Sequence, residues 1–307
     1  SEMCIRDSYM TDPIKKIFYK QRMDFEASTK QRDKELPFPK NVDEIKDIYY
    51  SDDHLPAHRL DIFRPADRKS EVLPVIINIH GGGLLMGSKE FNRFFCARLC
   101  KTGYMVYSIE YRLVPDCSFF DQLSDVFMAM DYIKQRIADD YGDTANIYAC
   151  ADSGGACLLT YASAMIHNNK LANAAGIKPA SIKLNAIGFI SGMFYTNRFD
   201  KIGLFLPKYL YGRHYKKEAF APYINPECSD ITEYLPPVFM VTSHNDNLRR
   251  YTTDFAMALK KHNACHKLIN FPKKSSLTHA FSVFEPFLPE STKTIRAMIT
   301  FFKQYSC

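Results

Sequence analysis

Residues 146–159, NIYACADSGGACLL, constrain this chain more than any other stretch. An apolar run, Ile147 to Cys150, meets Asp152-Ser153-Gly154-Gly155 and passes directly into a helix-like run of small and apolar residues. A strand that runs straight into a helix must turn sharply, and a bulky side chain at that turn clashes across it. The small residues at 151, 154, 155 and 156 meet this demand and leave Ser153 at the apex, above the sheet. Ala151 stands two before the serine, where such turns carry glycine, and a methyl group is about the largest substituent the position takes. Without the rest of the chain, the same residues also fit a plain Ser-Gly loop between core elements.

The flanking patterns build a fold around this turn. Residues 9–44 interleave charges with Ile14, Ile17, Phe18, Phe25 and Phe38, which predicts one or two amphipathic helices lying on the remainder. From Ile45 the segments EIKDIYYS and HRLDIFRP alternate polar with apolar and read as antiparallel neighbours. Val72 to Ile79 is almost continuously apolar, as in a strand buried on both faces. Helices are predicted over 91–102, 119–138, 248–261 and 292–304, with strand, elbow and helix together over 146–168 and strands over 104–109, 184–190, VFMVTS and HKLINF. Strands alternating with helices mean βαβ units and a mostly parallel sheet. Residues 193–226 interrupt the alternation with an insert rich in aromatic and basic residues, a length that suits a cap better than a loop. Asp125 is expected to pair with Arg112 in a structural role.

Composition narrows the class. A chain of 307 residues, 46% hydrophobic, buries one large α/β domain or two smaller ones. The net charge of +6 forms no basic stripe, which argues against nucleic acid as a partner. No apolar run approaches the roughly 18 residues of a membrane span, so no membrane partner is expected. Nine cysteines without a CxxC pair read as reduced, mostly buried thiols of a cytoplasmic protein. His262, Cys265 and His266 have metal-like spacing but lie between a helix-like and a strand-like run, and neither metal nor cofactor is expected. Residues 1–8, SEMCIRDS, read as a translated transposase-type sequencing adaptor and are set aside, with Met10 a plausible natural start and no signal-peptide pattern after it.

A serine hydroxyl needs a base to take its proton, and the base needs an acid to fix its tautomer. Ligands of such sheets sit at the carboxyl ends of the strands. Asp246 follows VFMVTS, 93 residues after Ser153, and His279 lies in the loop after the next strand, 33 residues further. His54, His58, His167 and His214 are poorly placed, whereas His244, beside the same strand end as Asp246, competes with His279. His80-Gly81-Gly82-Gly83 ends a buried strand and lets backbone N–H donors approach a bound group. A phosphate cradle is the rival reading, but neither GK[ST] nor GxGxxG follows.

Taken together these segments resemble the hormone-sensitive-lipase-like branch of the α/β-hydrolases, the bacterial family IV esterases. HGGGLLMGS at 80–88 is similar to the family's oxyanion motif, EYRLVPD at 110–116 to YRLAPE, and ADSGGA at 151–156 to GDSAGG. DNLR at 246–249 is similar to DPLR, and HAF at 279–281 to HGF or HAF. The departures are Ala151, Gly154 for alanine, Asn247 for proline and Arg250 for an acidic residue. The resemblance implies an α/β-hydrolase fold, with core 45–192 and 227–307 under a two-part helical cap from 9–44 and 193–226. It implies Ser153 as nucleophile, His279 as base and Asp246 as its orienting acid, with the N–H groups of Gly82, Gly83 and Gly154 holding the oxyanion. Substrate contacts are expected from Leu84, Asp152, Phe194, Tyr195, Phe205 and Tyr209. The expected activity is hydrolysis of short-chain acyl or aryl esters, falling as pH drops through about 6.5, where a histidine base protonates. An arylformamidase or other amide-type hydrolase on the same residues, and a non-catalytic small-molecule-binding relative, are the alternatives. The expected partner is a small-molecule ester, and a homodimer is left open.

Overall fold

Where a site can lie is decided by the order of the strands. The computed structural model describes residues 12–307; the adaptor-like segment and Met10 lie outside the described residues. The strands are β1 (Val42–Tyr49), β2 (Arg59–Pro65), β3 (Leu73–Ile79), β4 (Met105–Ile109), β5 (Gly142–Asp152), β6 (Ile187–Ile190), β7 (Val238–Ser243) and β8 (His266–Phe271). They form one sheet in the order β1-β2-β4-β3-β5-β6-β7-β8. β2 is antiparallel to both β1 and β4, and every other pair is parallel. Winding proceeds one way from β3 to β4 and the other way from β5 onward. The order therefore reverses between β3 and β5, and ligands bind beyond the carboxyl ends of strands at such a reversal.

Helices cover both faces. In chain order they are α1 (Pro13–Glu35), α2 (Arg93–Cys100), α3 (Phe119–Arg136), α4 (Ser153–His167), α5 (Asn169–Ala175) and α6 (Lys201–Phe205), followed by α7 (Pro207–Tyr211), α8 (Ser229–Thr232), α9 (Arg249–Lys261), α10 (Phe281–Phe284) and α11 (Pro289–Phe302). Successive side chains of a strand point to opposite faces, so β3 sends Val75, Ile77 and Ile79 into the core under α3, α4 and α9, and Ile76 into the core under α2 and α11. Both faces being apolar is why β3 reads as an unbroken hydrophobic run. α3 starts with a capping box: the Asp121 N–H donates to Ser118 Oγ (3.2 Å), and the Ser118 N–H donates to the Asp121 carboxylate (2.8 Å). Its Leu123, Val126, Met130 and Ile133 then recur on one buried face.

The N-terminal segment is one helix. Asp12 caps it by accepting from the Ile14 and Lys15 N–H groups, Pro13 opens it, and it ends where Leu36 turns extended before Pro37. The Arg22 side chain bolts α1 down by donating to the carbonyls of Leu85 and Val114 (both 3.0 Å) and to Asp116 (2.8 Å). Pairing with β2 begins at Val42, three residues ahead of the expected core boundary at Ile45, because Val42 opposes Pro65 and the Ala66 N–H reaches Asn41 O. β6 is shorter than expected. It starts at Ile187 because Asn185 turns its amide to the carbonyls of Ala145 and Tyr305. Arg112 and Asp125 pair through both carboxylate oxygens, as expected. Among the described residues no helix is long and apolar enough to cross a membrane.

Candidate active site

β5 ends at Asp152 and α4 begins at Ser153. Ser153 takes φ +43°, the left-handed region that costs a non-glycine residue about 1–3 kcal/mol. Packing on both sides enforces it. Ala151 is paired with Ile79 on β3 and Phe189 on β6 and sends its methyl into the core, which is why alanine is accepted there. At Gly155 a Cβ would stand 2.4 Å from the carbonyl oxygens of Ile79 and His80, so only glycine lets α4 approach the end of β3 this closely.

Three side chains from separate strand ends meet at this apex. His279, in the loop between β8 and α10, places Nε2 2.8 Å from Ser153 Oγ and Nδ1 2.7 Å from Asp246 Oδ1. Asp246, just beyond β7, also accepts from the Leu248 N–H and from Thr242 Oγ1 (both 2.8 Å). Burial opposes ionisation of Asp246, but the hydrogen bond and charge of His279, with Ser191 and the Leu248 N–H, outweigh it and hold the carboxyl below its ordinary value. The loop bearing His279 is fixed from below, where the Ala280 N–H donates to Ser191 Oγ (3.0 Å) and Ser243 Oγ donates to Leu277 O. His244 is exposed, and among the described residues no hydrogen bond joins its side chain to Ser153 or Asp246.

The glycine loop after β3 forms the other wall. The Gly81 N–H and Asn92 Nδ2 donate to Asp152 Oδ1 (2.9 and 2.8 Å), which ties the loop to the elbow. Burial raises the Asp152 carboxyl above its ordinary value, against the hydrogen bond from Asn92 and the charge of His80. Tyr111 stacks on His80 and donates its hydroxyl to His80 O (2.7 Å), while His80 Nε2 lies 2.8 Å from Glu110. Burial opposes protonation of His80, but the Glu110 carboxylate prevails and raises it. Leu84 O accepts from the Val114 N–H (3.0 Å) and from Gln122 Nε2 (2.8 Å). Within the loop the N–H groups of Gly82 and Gly83 take no acceptor among the described residues, and the Gly154 N–H belongs to the first turn of α4, where helical partners are lacking.

Ser153, His279, Gly82, Gly83 and Asp152 open on a cavity of about 480 Å³. Its walls are apolar: Ile14, Ile17, Phe18 and Phe25 come from α1, Met193, Ile202 and Phe205 from the insert, and Phe91, Leu248 and Phe284 from the core. Of the expected substrate contacts, Phe205 and Asp152 line it. Leu84, Phe194, Tyr195 and Tyr209 do not line it. Leu84 is fully buried in the core, and Phe194 stacks on Phe255 with ring centres 4.2 Å apart. Tyr195 donates to Glu227 (2.7 Å) beneath the Arg198 guanidinium, and Tyr209 donates to Asp12 (2.7 Å) with its ring edge on Phe18. Most aromatics of the insert thus pack inward, with Tyr211 and Phe220 against Phe119 and Tyr161. The wall residues missed on α1 had a signal in the sequence, since Phe18 and Phe25 are seven apart on one helical face. His262 Nδ1 bonds Thr232 (2.6 Å) and His266 Nδ1 bonds Ala264 O (2.8 Å); among the described residues no group of three His, Cys, Asp or Glu could hold a metal ion.

A family model described as alpha/beta hydrolase fold matches residues 76–282. A probable isoprenylcysteine alpha-carbonyl methylesterase of Oryza sativa subsp. japonica is 25% identical over 247 residues, covering 75% of this chain and 57% of that protein. The chain spans about half the length of the curated relatives it matches first. Among solved structures, an inhibited esterase B from Lactobacillus rhamnosis superposes with a TM-score of 0.89 at 20% identity, covering 96% of this chain and 97% of that one. A bacterial heroin esterase gives 0.70 at 20% identity, covering 93% and 91%. At these identities the structural likeness speaks to the fold alone.

Proposed function

The chain belongs to the hormone-sensitive-lipase-like branch of the alpha/beta hydrolases, and from that premise we propose that it is a serine carboxylesterase acting on short acyl or aryl esters. The observation that carries this reading is the hydrogen-bonded chain Ser153–His279–Asp246, at 2.8 and 2.7 Å, opening on an apolar cavity. Ser153 Oγ attacks the ester carbonyl as His279 Nε2 takes its proton. Asp246 holds the Nδ1–H tautomer and stabilises the imidazolium that forms. Negative charge on the former carbonyl oxygen is met by the N–H groups of Gly82, Gly83 and Gly154. The alcohol leaves with the proton from His279. Water, activated by the same imidazole, then attacks the acyl-serine and releases the acid.

Residues 9–44 and 193–226 act in this reading as the two parts of a cap over a core of 45–192 and 227–307. Supporting this, α1 and α6 both supply wall residues of the cavity, and Tyr209 bonds Asp12 across the two parts. A cap that closes the cavity at about 480 Å³ favours short acyl groups over long ones. The test is hydrolysis of p-nitrophenyl acetate and butyrate by wild type, Ser153→Ala, His279→Ala and His244→Ala. The first two variants should fall to background and the third should keep its activity. Turnover that survives Ser153→Ala, or long-chain triglycerides as best substrates, would sink the reading.

A further inference from the structure

Folding gathers charge that is dispersed in the sequence. Residues 13–35 hold seven Lys and Arg against four Asp and Glu, and residues 193–226 hold six against two. The excess of seven in these two segments is one more than the whole net charge of +6, so the rest of the chain is close to neutral. Both segments border the cavity.

The same two segments carry apolar side chains in water. Ile17 and Phe205, which both line the cavity, are 54% and 48% exposed. Leu204, beside Phe205 on α6, is 58% exposed, and Phe199 is 96% exposed. Exposed Lys16 and Lys20 flank Ile17 along α1, and exposed Lys201 opens α6. No described carboxylate lies within ion-pair distance of these three lysines.

Exposed apolar side chains near lysines that lack a described carboxylate partner fit the membrane-surface mode of binding, in which apolar groups enter the headgroup region and cations meet anionic lipid. We propose that this face docks the protein on an anionic lipid surface, with the cavity mouth turned toward the lipid. Charge selects this occupant over a second copy of the chain, because a symmetric contact would bring two excesses of seven positive charges together. Docking of this kind is peripheral, in keeping with the lack of a spanning helix among the described residues. It goes beyond the esterase reading and needs no turnover.

The test is co-sedimentation of the full-length protein with vesicles of phosphatidylcholine alone or of equimolar phosphatidylcholine and phosphatidylglycerol, at about 0.15 M salt. Wild type should bind the anionic vesicles at least about tenfold more tightly than the neutral ones, and Phe199→Ser/Leu204→Ser should lose about tenfold of that binding. Lys16→Glu/Lys20→Glu should lose a similar amount. Neither Phe199 nor Leu204 lines the cavity, so the double variant should still hydrolyse a water-soluble p-nitrophenyl ester like wild type, which reports an intact fold. Ser153→Ala should bind vesicles as wild type does, so docking and esterase activity fail separately. Equal binding to both vesicle types, or wild-type binding by Phe199→Ser/Leu204→Ser, overturns the proposal. So does a wild-type dimer in sedimentation velocity that the same double variant splits into monomers.

Discussion

Gly154→Ala adds one methyl group where α4 meets the glycine loop. Its Cβ would stand 2.7 Å from the Leu84 nitrogen and 2.8 Å from the Gly83 nitrogen, both backbone atoms. The loop has little freedom to yield, since Leu84 O is held by Val114 and Gln122 and Leu85 O by Arg22. Ordinary contact begins near 3.4 Å, so the loop must retreat by about 0.7 Å. An oxyanion donor works within a window of about 2.7–3.1 Å, and a retreat of that size carries one out of it. Losing one donor costs about 10²–10³ in rate, or about 2.7–4 kcal/mol. The loss falls on the transition state, so kcat should drop while KM moves little. The family motif that the elbow resembles has alanine at this position, so resemblance alone would select the substitution as harmless. Steady-state kinetics on p-nitrophenyl butyrate, with a melting curve to confirm folding, separates the two lines of reasoning. A kcat within about twofold of wild type in a fully folded variant would refute the steric argument.

Other substitutions probe other parts of the site. Asp246→Asn leaves His279 Nδ1 against an amide and should lower kcat by about 10⁴ through the wrong tautomer, and a rate near wild type would remove Asp246 from the mechanism. Across a p-nitrophenyl ester series of increasing acyl length, Phe205→Ala should shift preference toward longer chains, because Phe205 walls the cavity. Tyr195→Phe should leave that profile unchanged and lower stability by about 1 kcal/mol, having lost only the bond to Glu227; a shifted profile would return Tyr195 to the substrate. Glu110→Gln tests the buried pair behind the glycine loop. The folded value of His80 is raised, so the stability it contributes is fully present below its unfolded value near 6.5 and is lost as pH rises through the folded value. The melting-temperature gap between wild type and Glu110→Gln should therefore be widest below about pH 6.5 and narrow as pH rises, and a gap that does not change with pH would refute this sign.

The residues that converge on the apex were legible because each sits at the end of a strand whose apolar pattern is local. Ile147 to Cys150 places Ser153, VFMVTS places Asp246 and HKLINF places the loop of His279, and a parallel sheet brings such ends to one edge. The cavity wall obeys no such rule. Residues 193–226 have no sustained period, so nothing local decides whether Tyr195 or Phe205 faces the cavity. That choice is made by partners far along the chain, Glu227 and Tyr251 for Tyr195, Phe255 for Phe194, and Asp12 for Tyr209. One wall shows how far the dependence reaches. Phe25, Phe91 and Phe284 come from three distant segments and touch pairwise, with ring centres 4.7 to 6.3 Å apart, yet each alone reads as an ordinary core residue.

Charge follows the same logic. Along the sequence the lysines of 13–35 and 193–226 are separated by six of the eight strands, and the densest basic clusters are only pairs. In space both segments border the same cavity, and the insert leaves Phe205, Leu204 and Phe199 exposed. A local pattern can therefore place chemistry at a strand end, where the backbone sets position. It cannot assemble a surface, because the surface exists only once α1 and the insert have been packed against the same opening. Vesicle binding and acyl-chain preference are properties of that assembled surface, and they are the measurements on which a reading by motif and a reading by structure part.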